Sequence, residues 1–101
     1  MLRHVFIFKA NIDGIFKQES FVSPGMINDS YAIGTFEQAC EVAKQVVSEG
    51  VTSIELCGAF HELEKQMVVD AIQCDVPVGF IAFTNSEKDK RGKPIVTPKA
   101  Q

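Results

Sequence analysis

The sequence predicts an α/β domain, with a small and mainly parallel sheet of three to four strands and two principal helices. Three observations carry this prediction: a short apolar run near the amino terminus, two amphipathic helical segments, and strand-like segments between them. Strands and helices that alternate along the chain with short connections form right-handed crossovers, which make neighbouring strands parallel. A ferredoxin-like α+β arrangement is the alternative, because four strands and two helices satisfy it as well.

The first third of the chain predicts one clear strand and a long irregular stretch. Residues 5–8, Val-Phe-Ile-Phe, form a continuous apolar run that is typical of a strand buried on both faces. Residues 11–30 are rich in Asn, Asp, Gly, Pro and Ser, the residues of turns. We therefore expect residues 11–30 to be irregular, with a short second strand only over residues 30–34.

The clearest helix begins after Thr35. Thr35 and Gln38 have the spacing of a capping box, in which each side chain bonds the other residue's backbone N–H. Apolar residues then recur on one helical face, at positions 36, 39, 40, 43, 46 and 47. Gly50 offers the left-handed conformation that ends a helix after Glu49.

The second half of the chain alternates between strands and a helix. Residues 51–57 predict a strand whose even and odd positions face opposite sides, and residues 60–73 predict the second helix. The Val76-Pro77 step favours extended backbone, and residues 78–84 predict the last strand. Because that strand is apolar on both faces, we expect it to be covered on both faces.

Charge and composition exclude several classes of partner. Residues 1–84 carry five Lys/Arg against eleven Asp/Glu, whereas residues 85–101 carry five against two. An acidic body suits nucleic acid poorly, and no apolar run approaches the ~20 residues of a membrane span. We therefore predict a single domain over residues 1–84 with a charged, solvated tail over 85–101, and neither a nucleic-acid nor a membrane partner. The odd number of cysteines, three, and the lack of a signal-peptide pattern favour reduced thiols in the cytoplasm.

Ligands of parallel sheets bind beyond the carboxyl ends of the strands. That rule selects five ligand-binding candidates, which follow the first, middle and last predicted strands: Lys9, Asn11, Gly58, Ala59 and Thr84. The turn at Gly58 and Ala59 could hold an anion on exposed backbone amides.

Three side chains near this turn could carry chemistry. Cys57 precedes a helix whose dipole and free N–H groups favour a thiolate, although a small buried cysteine also suits a strand end. Glu55 interrupts an apolar strand, so a buried carboxylate there would need a partner such as Lys9. His61, in the first turn of the second helix, could orient or deprotonate a ligand, and it equally suits an exposed surface position. No metal site is predicted, because His4 lies at the opposite strand end and no Cys-x-x-Cys occurs. Nothing in the sequence identifies a cofactor.

Two stretches resemble a known family. Residues 49–60 contain Ile-Glu-Leu-Cys-Gly-Ala-Phe, and residues 76–80 are Val-Pro-Val-Gly-Phe. They resemble an I-E-L-C-G-x-F signature and a V-P-V-G strand in small bacterial α/β domains of unknown function. The resemblance would cover residues 4–84, and this chain departs from the family pattern at Ala59 and His61. It implies the α/β fold and no established activity.

Three functions remain open from the sequence. The first is a module that binds a small molecule or anion near Cys57. The second is a cysteine-dependent enzyme that uses Cys57 as nucleophile with Glu55 or His61 as base. The third is a structural subunit, for example a homodimer, whose contacts involve residues 11–30 or the Ile95-Val96 pair.

Overall fold

A computed structural model describes residues 1–98, apart from the side chain of Glu19. The elements in chain order are β1 (Leu2–Lys9), β2 (Ile15–Ser23), β3 (Met26–Ile33), α1 (Phe36–Ser48), β4 (Ser53–Leu56), α2 (Glu62–Ile72), β5 (Val78–Phe80) and α3 (Asn85–Lys88). The five strands form one sheet in the order β2-β3-β1-β4-β5. No helix within residues 1–98 is long and apolar enough to cross a membrane.

The sheet is mixed. β1 lies parallel to β3 and to β4, β4 lies parallel to β5, and β2 lies antiparallel to β3. The predicted α/β class and the two principal helices are confirmed. The predicted strand count and orientation differ, because residues 15–33 form a β-hairpin that contributes two strands. The ferredoxin-like alternative is wrong as well, since that hairpin, and not a helix, follows β1.

The β2–β3 hairpin corrects the prediction that residues 11–30 are irregular. Its turn is Pro24-Gly25, where Gly25 has a φ of +79°. β2 is an edge strand whose described residues are exposed or half-buried, so burial does not impose an apolar alternation on it. A bulge between Gln18 and Phe21 also shifts the register and hides the two-residue period.

The bulge brings a hydroxyl group to a buried carboxylate. Asp29 on β3 is 2% exposed, and the Ser20 hydroxyl from the bulge hydrogen-bonds to it. The Arg3 guanidinium lies 3.5 Å from the same carboxylate and also donates to the Glu49 carbonyl, at 3.2 Å. Arg3 therefore joins the amino end of the sheet to the carboxyl end of α1, where it satisfies a free helix carbonyl.

α1 confirms the capping-box prediction. The Thr35 hydroxyl accepts from the Gln38 N–H at 3.1 Å, and the Gln38 side-chain oxygen accepts from the Thr35 N–H at 3.0 Å. Gly50 follows the helix with a φ of +89°, the left-handed stop that the sequence predicted. β4, α2 and β5 lie at the predicted places with shorter bounds.

Both long helices pack on one face of the sheet. The crossovers from β3 to β4 and from β4 to β5 run in the same direction across the sheet, and crossovers of one hand then place both helices on the same side. The hydrophobic core lies between the two helices and the sheet. From the sheet it contains Val5, Ile7, Ile54 and Leu56, which pack against α1 and α2. The expected cover on both faces of the last strand is therefore wrong, and Ile81 and Phe83 just beyond it are 45% and 43% exposed.

Candidate functional site

A cleft opens where β4 and β5 end and α2 begins. Its volume is about 470 Å³, within the range of about 300–1,000 Å³ that small-molecule sites occupy. Residues from the turn before α2, from the end of β5 and from the carboxyl-terminal segment line it: Gly58, Phe60, His61, Glu62, Phe80, Ile81, Ala82, Phe83, Lys88 and Arg91. The cleft therefore joins segments that are about thirty residues apart in sequence.

Aromatic rings form the apolar part of the cleft. Phe60 is 1% exposed and packs edge-to-face on Phe36, with ring centroids 5.1 Å apart. Phe80 is half-buried and Phe83 is exposed. Because Phe60 is anchored in the core, its position is set by packing and does not depend on a ligand.

Two cations lie beside these rings. The Arg91 guanidinium carbon lies 4.7 Å from the centroid of the Phe83 ring, a cation–π contact, and Lys88 lines the same cleft. The one lining carboxylate, Glu62, lies 2.9 Å from the Lys65 ammonium, which offsets its charge. No carboxylate of the described residues lies within ion-pair distance of Lys88 or Arg91. The cleft is therefore suited to an anion.

The start of α2 contributes less positive potential than a free helix terminus would. His61 is the exposed N-cap residue, and its N–H donates to the Glu64 carboxylate at 3.4 Å. Glu62 and Glu64 in the first turn already complement the helix dipole. The charge available to a bound anion therefore comes mainly from Lys88 and Arg91.

Cys57 lies beside the cleft and does not line it. The thiol is half-buried, and its sulfur accepts a hydrogen bond from the Lys9 N–H at 3.3 Å. Within residues 1–98, no hydrogen bond joins that sulfur to Glu55 or His61. The three catalytic candidates do not form a connected nucleophile and base in this structure, and their catalytic role stays a prediction.

Glu55 is exposed, with 57% of its side chain accessible, so it needs no buried partner. Its carboxylate lies 3.8 Å from His4 Nε2, and His4 Nδ1 lies 2.8 Å from the Ser53 hydroxyl. Lys9, the partner considered from the sequence, instead places its ammonium 5.7 Å from the centroid of the Phe36 ring. Glu55 therefore belongs to a polar group on the uncovered sheet face.

Comparison with known protein families matches residues 2–93 to a family of unknown function, DUF6506. The chain belongs to the DUF6506 family. The resemblance seen in the sequence is thereby confirmed at the level of a family of unknown function, while the signature motif and the bacterial origin stay predictions. No curated protein and no solved structure shows a significant match to the chain.

In this DUF6506 member, the five predicted ligand-binding residues do not all converge. Gly58 lines the cleft, whereas exposed Ala59 next to it does not. Thr84 lines an adjoining concavity of about 510 Å³, which shares Phe83 and Arg91 with the cleft. Lys9 and Asn11 are exposed and line neither concavity. Their role as ligand-binding residues stays a prediction.

Sequence reasoning missed the residues that carry the charge of the cleft. Lys88 and Arg91 were assigned to a solvated tail, because acidic residues alternate with them. The available signal was their three-residue spacing, which places the two cations on one side of a helical turn.

Proposed function

We propose that the protein binds a small anion that carries a flat apolar group, in the cleft between Gly58 and Arg91. The observation that carries this proposal is the pairing of an aromatic wall with two cations that have no carboxylate partner among the described residues. The apolar group would lie on Phe80 and Phe83, and the anionic group would face Lys88 and Arg91.

The chemistry of the two cations supports carboxylate or phosphate as the anionic group. The planar guanidinium of Arg91 can donate two parallel hydrogen bonds to either group. The Gly58 N–H has no backbone or side-chain acceptor within residues 1–98, and Gly58 lines the same cleft, so this N–H is a candidate third donor. A cytoplasmic setting stays part of the proposal, and the three free cysteines are compatible with it.

Binding is tested by isothermal titration calorimetry and thermal shift on the full chain. Phenyl phosphate and benzoate are the anionic probes, and phenol and benzamide are their neutral counterparts. We expect the anions to bind and to raise the melting temperature, and the neutral compounds to do neither. Equal responses to charged and neutral probes, or no response to any, would contradict the proposal.

Two charge-matched variants localise the site. Arg91→Gln removes a guanidinium from the cleft, while Lys93→Gln removes the same charge from a neighbouring groove beside Ile95. Because a hydrogen bond to a charged group contributes about 1.5–3 kcal/mol, Arg91→Gln should weaken anion binding by about tenfold or more. Lys93→Gln should leave it unchanged. Equal weakening by both variants would show only a diffuse attraction to the basic tail.

A further inference from the structure

The sheet face opposite the helices is uncovered and carries exposed or half-buried aromatic side chains on β1 and β2. We propose that this face packs against the same face of a second copy of the chain, forming a symmetric dimer. The face is defined by the registered positions that point away from α1 and α2. Its middle row runs across the five strands through Gln18, Ser30, Phe6, Glu55 and Gly79.

Aromatic residues of β1 and β2 lie on both sides of this middle row. Phe8 follows Phe6 on β1, and their rings stack with centroids 6.0 Å apart. On edge strand β2, Phe16 and Phe21 are 57% and 69% exposed. The described side chains at these registered positions include no Lys or Arg, and Glu55, 3.8 Å from His4 Nε2, is the one carboxylate among them. Enrichment in aromatic residues and depletion of charge distinguish interface cores from ordinary surface.

The size of the open face fits a dimer contact. Three strands of eight or nine residues and two of three or four residues, about 4.8 Å apart, cover a flat area of about 500 Å². The accessible area of the ridged surface is larger, which brings it near the roughly 800 Å² per partner of a standard interface. The carboxyl-terminal segment does not cover this face, because Ile95 and Val96 are 90% and 92% exposed.

The strand order makes the open face complementary to itself. β1 is the central strand, so a twofold axis parallel to β1 places β4 over the β3 of the second copy and β5 over its β2. In the middle row, Phe6 then meets the second Phe6, and the Glu55 carboxylate meets the Ser30 hydroxyl. Gly79, which has no side chain, meets Gln18. Sheets packed face to face in this aligned way lie about 10 Å apart.

The alternative twofold axis, perpendicular to the strands, fits poorly. It would place β2 over β2, so that Phe16 and Phe21 compete for the same space at one edge. It would also place β5 over β5, where Gly79 leaves a gap, and Glu55 next to a second carboxylate. The axis along β1 is therefore favoured, because it places Gly79 opposite Gln18 and the Glu55 acceptor opposite the Ser30 donor.

The dimer is tested by sedimentation equilibrium on the full chain. We expect a species of twice the 11.1 kDa chain mass at about 100 µM, since interfaces of this size bind with micromolar affinity or better. Phe21→Lys places a charge in the interface and should raise the dissociation constant at least tenfold. Leu63→Lys makes the same kind of change at an exposed apolar residue of α2, and should leave the dimer intact. A monomeric wild type would overturn the proposal, as would dissociation by Leu63→Lys alone.

Gly79→Trp separates specific packing from simple surface stickiness. A Cβ at Gly79 would meet only the Glu55 Cγ, at 3.9 Å, so the single chain can accommodate a side chain there. In the dimer this side chain would collide with Gln18 of the second copy. We expect at least a tenfold weaker dimer with an unchanged circular dichroism spectrum. If the face associates only because it is apolar, the added indole should strengthen association. That result would refute the packing described above.

Discussion

Gly34→Ala is expected to destabilise the protein although it adds only one methyl group. Gly34 joins β3 to α1, and a Cβ there would lie closer than 3.0 Å to the Ile12 carbonyl oxygen and 3.3 Å from the Gln38 side-chain oxygen. Because the first of these atoms belongs to the backbone, the loop around Ile12 must move. Such overpacking costs about 1–3 kcal/mol. The lost flexibility of the unfolded chain offsets about 0.4–1 kcal/mol of that cost.

The net loss for Gly34→Ala is therefore about 1–2 kcal/mol, which lowers the melting temperature of a domain this size by about 4–16 °C. Gly58→Ala is the matched control, because no atom lies within 4 Å of a Cβ built there. That control should melt at the wild-type temperature or slightly above it. Differential scanning calorimetry measures both variants. A Gly34→Ala protein as stable as Gly58→Ala would show that the loop approach at Ile12 is wrong.

Two further predictions concern α1. Thr35→Ala removes the acceptor of the Gln38 N–H and should lower the free energy of unfolding by about 1 kcal/mol, measured by urea denaturation. Thr35→Ser keeps a hydroxyl acceptor and should retain most of the wild-type stability. Burial raises the pKa of the Cys40 thiol, with a smaller opposing effect of Lys44. Iodoacetamide, followed by peptide mass spectrometry, should therefore alkylate Cys40 more slowly than exposed Cys74. In the unfolded protein the Cys40 thiol has its ordinary pKa, so it loses its proton at a lower pH than in the folded protein. The contribution of Cys40 to the free energy of unfolding is therefore complete below the ordinary thiol pKa, and it is lost as the pH rises through the raised pKa of the folded state. Equal alkylation rates at the two cysteines would argue against the burial of Cys40.

The parts of the fold that depend on neighbours in sequence could be predicted. Thr35, Gln38 and Gly50 determine where α1 begins and ends through contacts within one or two helical turns. The β2–β3 hairpin could not be predicted in the same way. Its outer strand is exposed and bulged, so neither burial nor a regular two-residue period marks it in the sequence.

The sequence predicts a candidate site at the sheet edge where the cleft lies, and the predicted residues overlap the cleft lining only in part. Gly58 and His61 both line the cleft. They could be predicted because a local sequence pattern indicates where a helix starts after a strand. Cys57 turns instead toward the Lys9 N–H of the neighbouring strand. Arg91 was missed, since its place in the same cleft as Gly58 depends on how the chain after β5 folds back.

The amino-acid sequence by itself determined the α/β class, the limits of α1 and the turn before α2, because these follow from interactions between residues a few positions apart. The tertiary structure decided which sheet face stays uncovered, which partner Glu55 has, and which cations reach the cleft. Those outcomes depend on strand order and on the common direction of the two crossovers. Both are set by packing between segments far apart in sequence, and no local pattern encodes them.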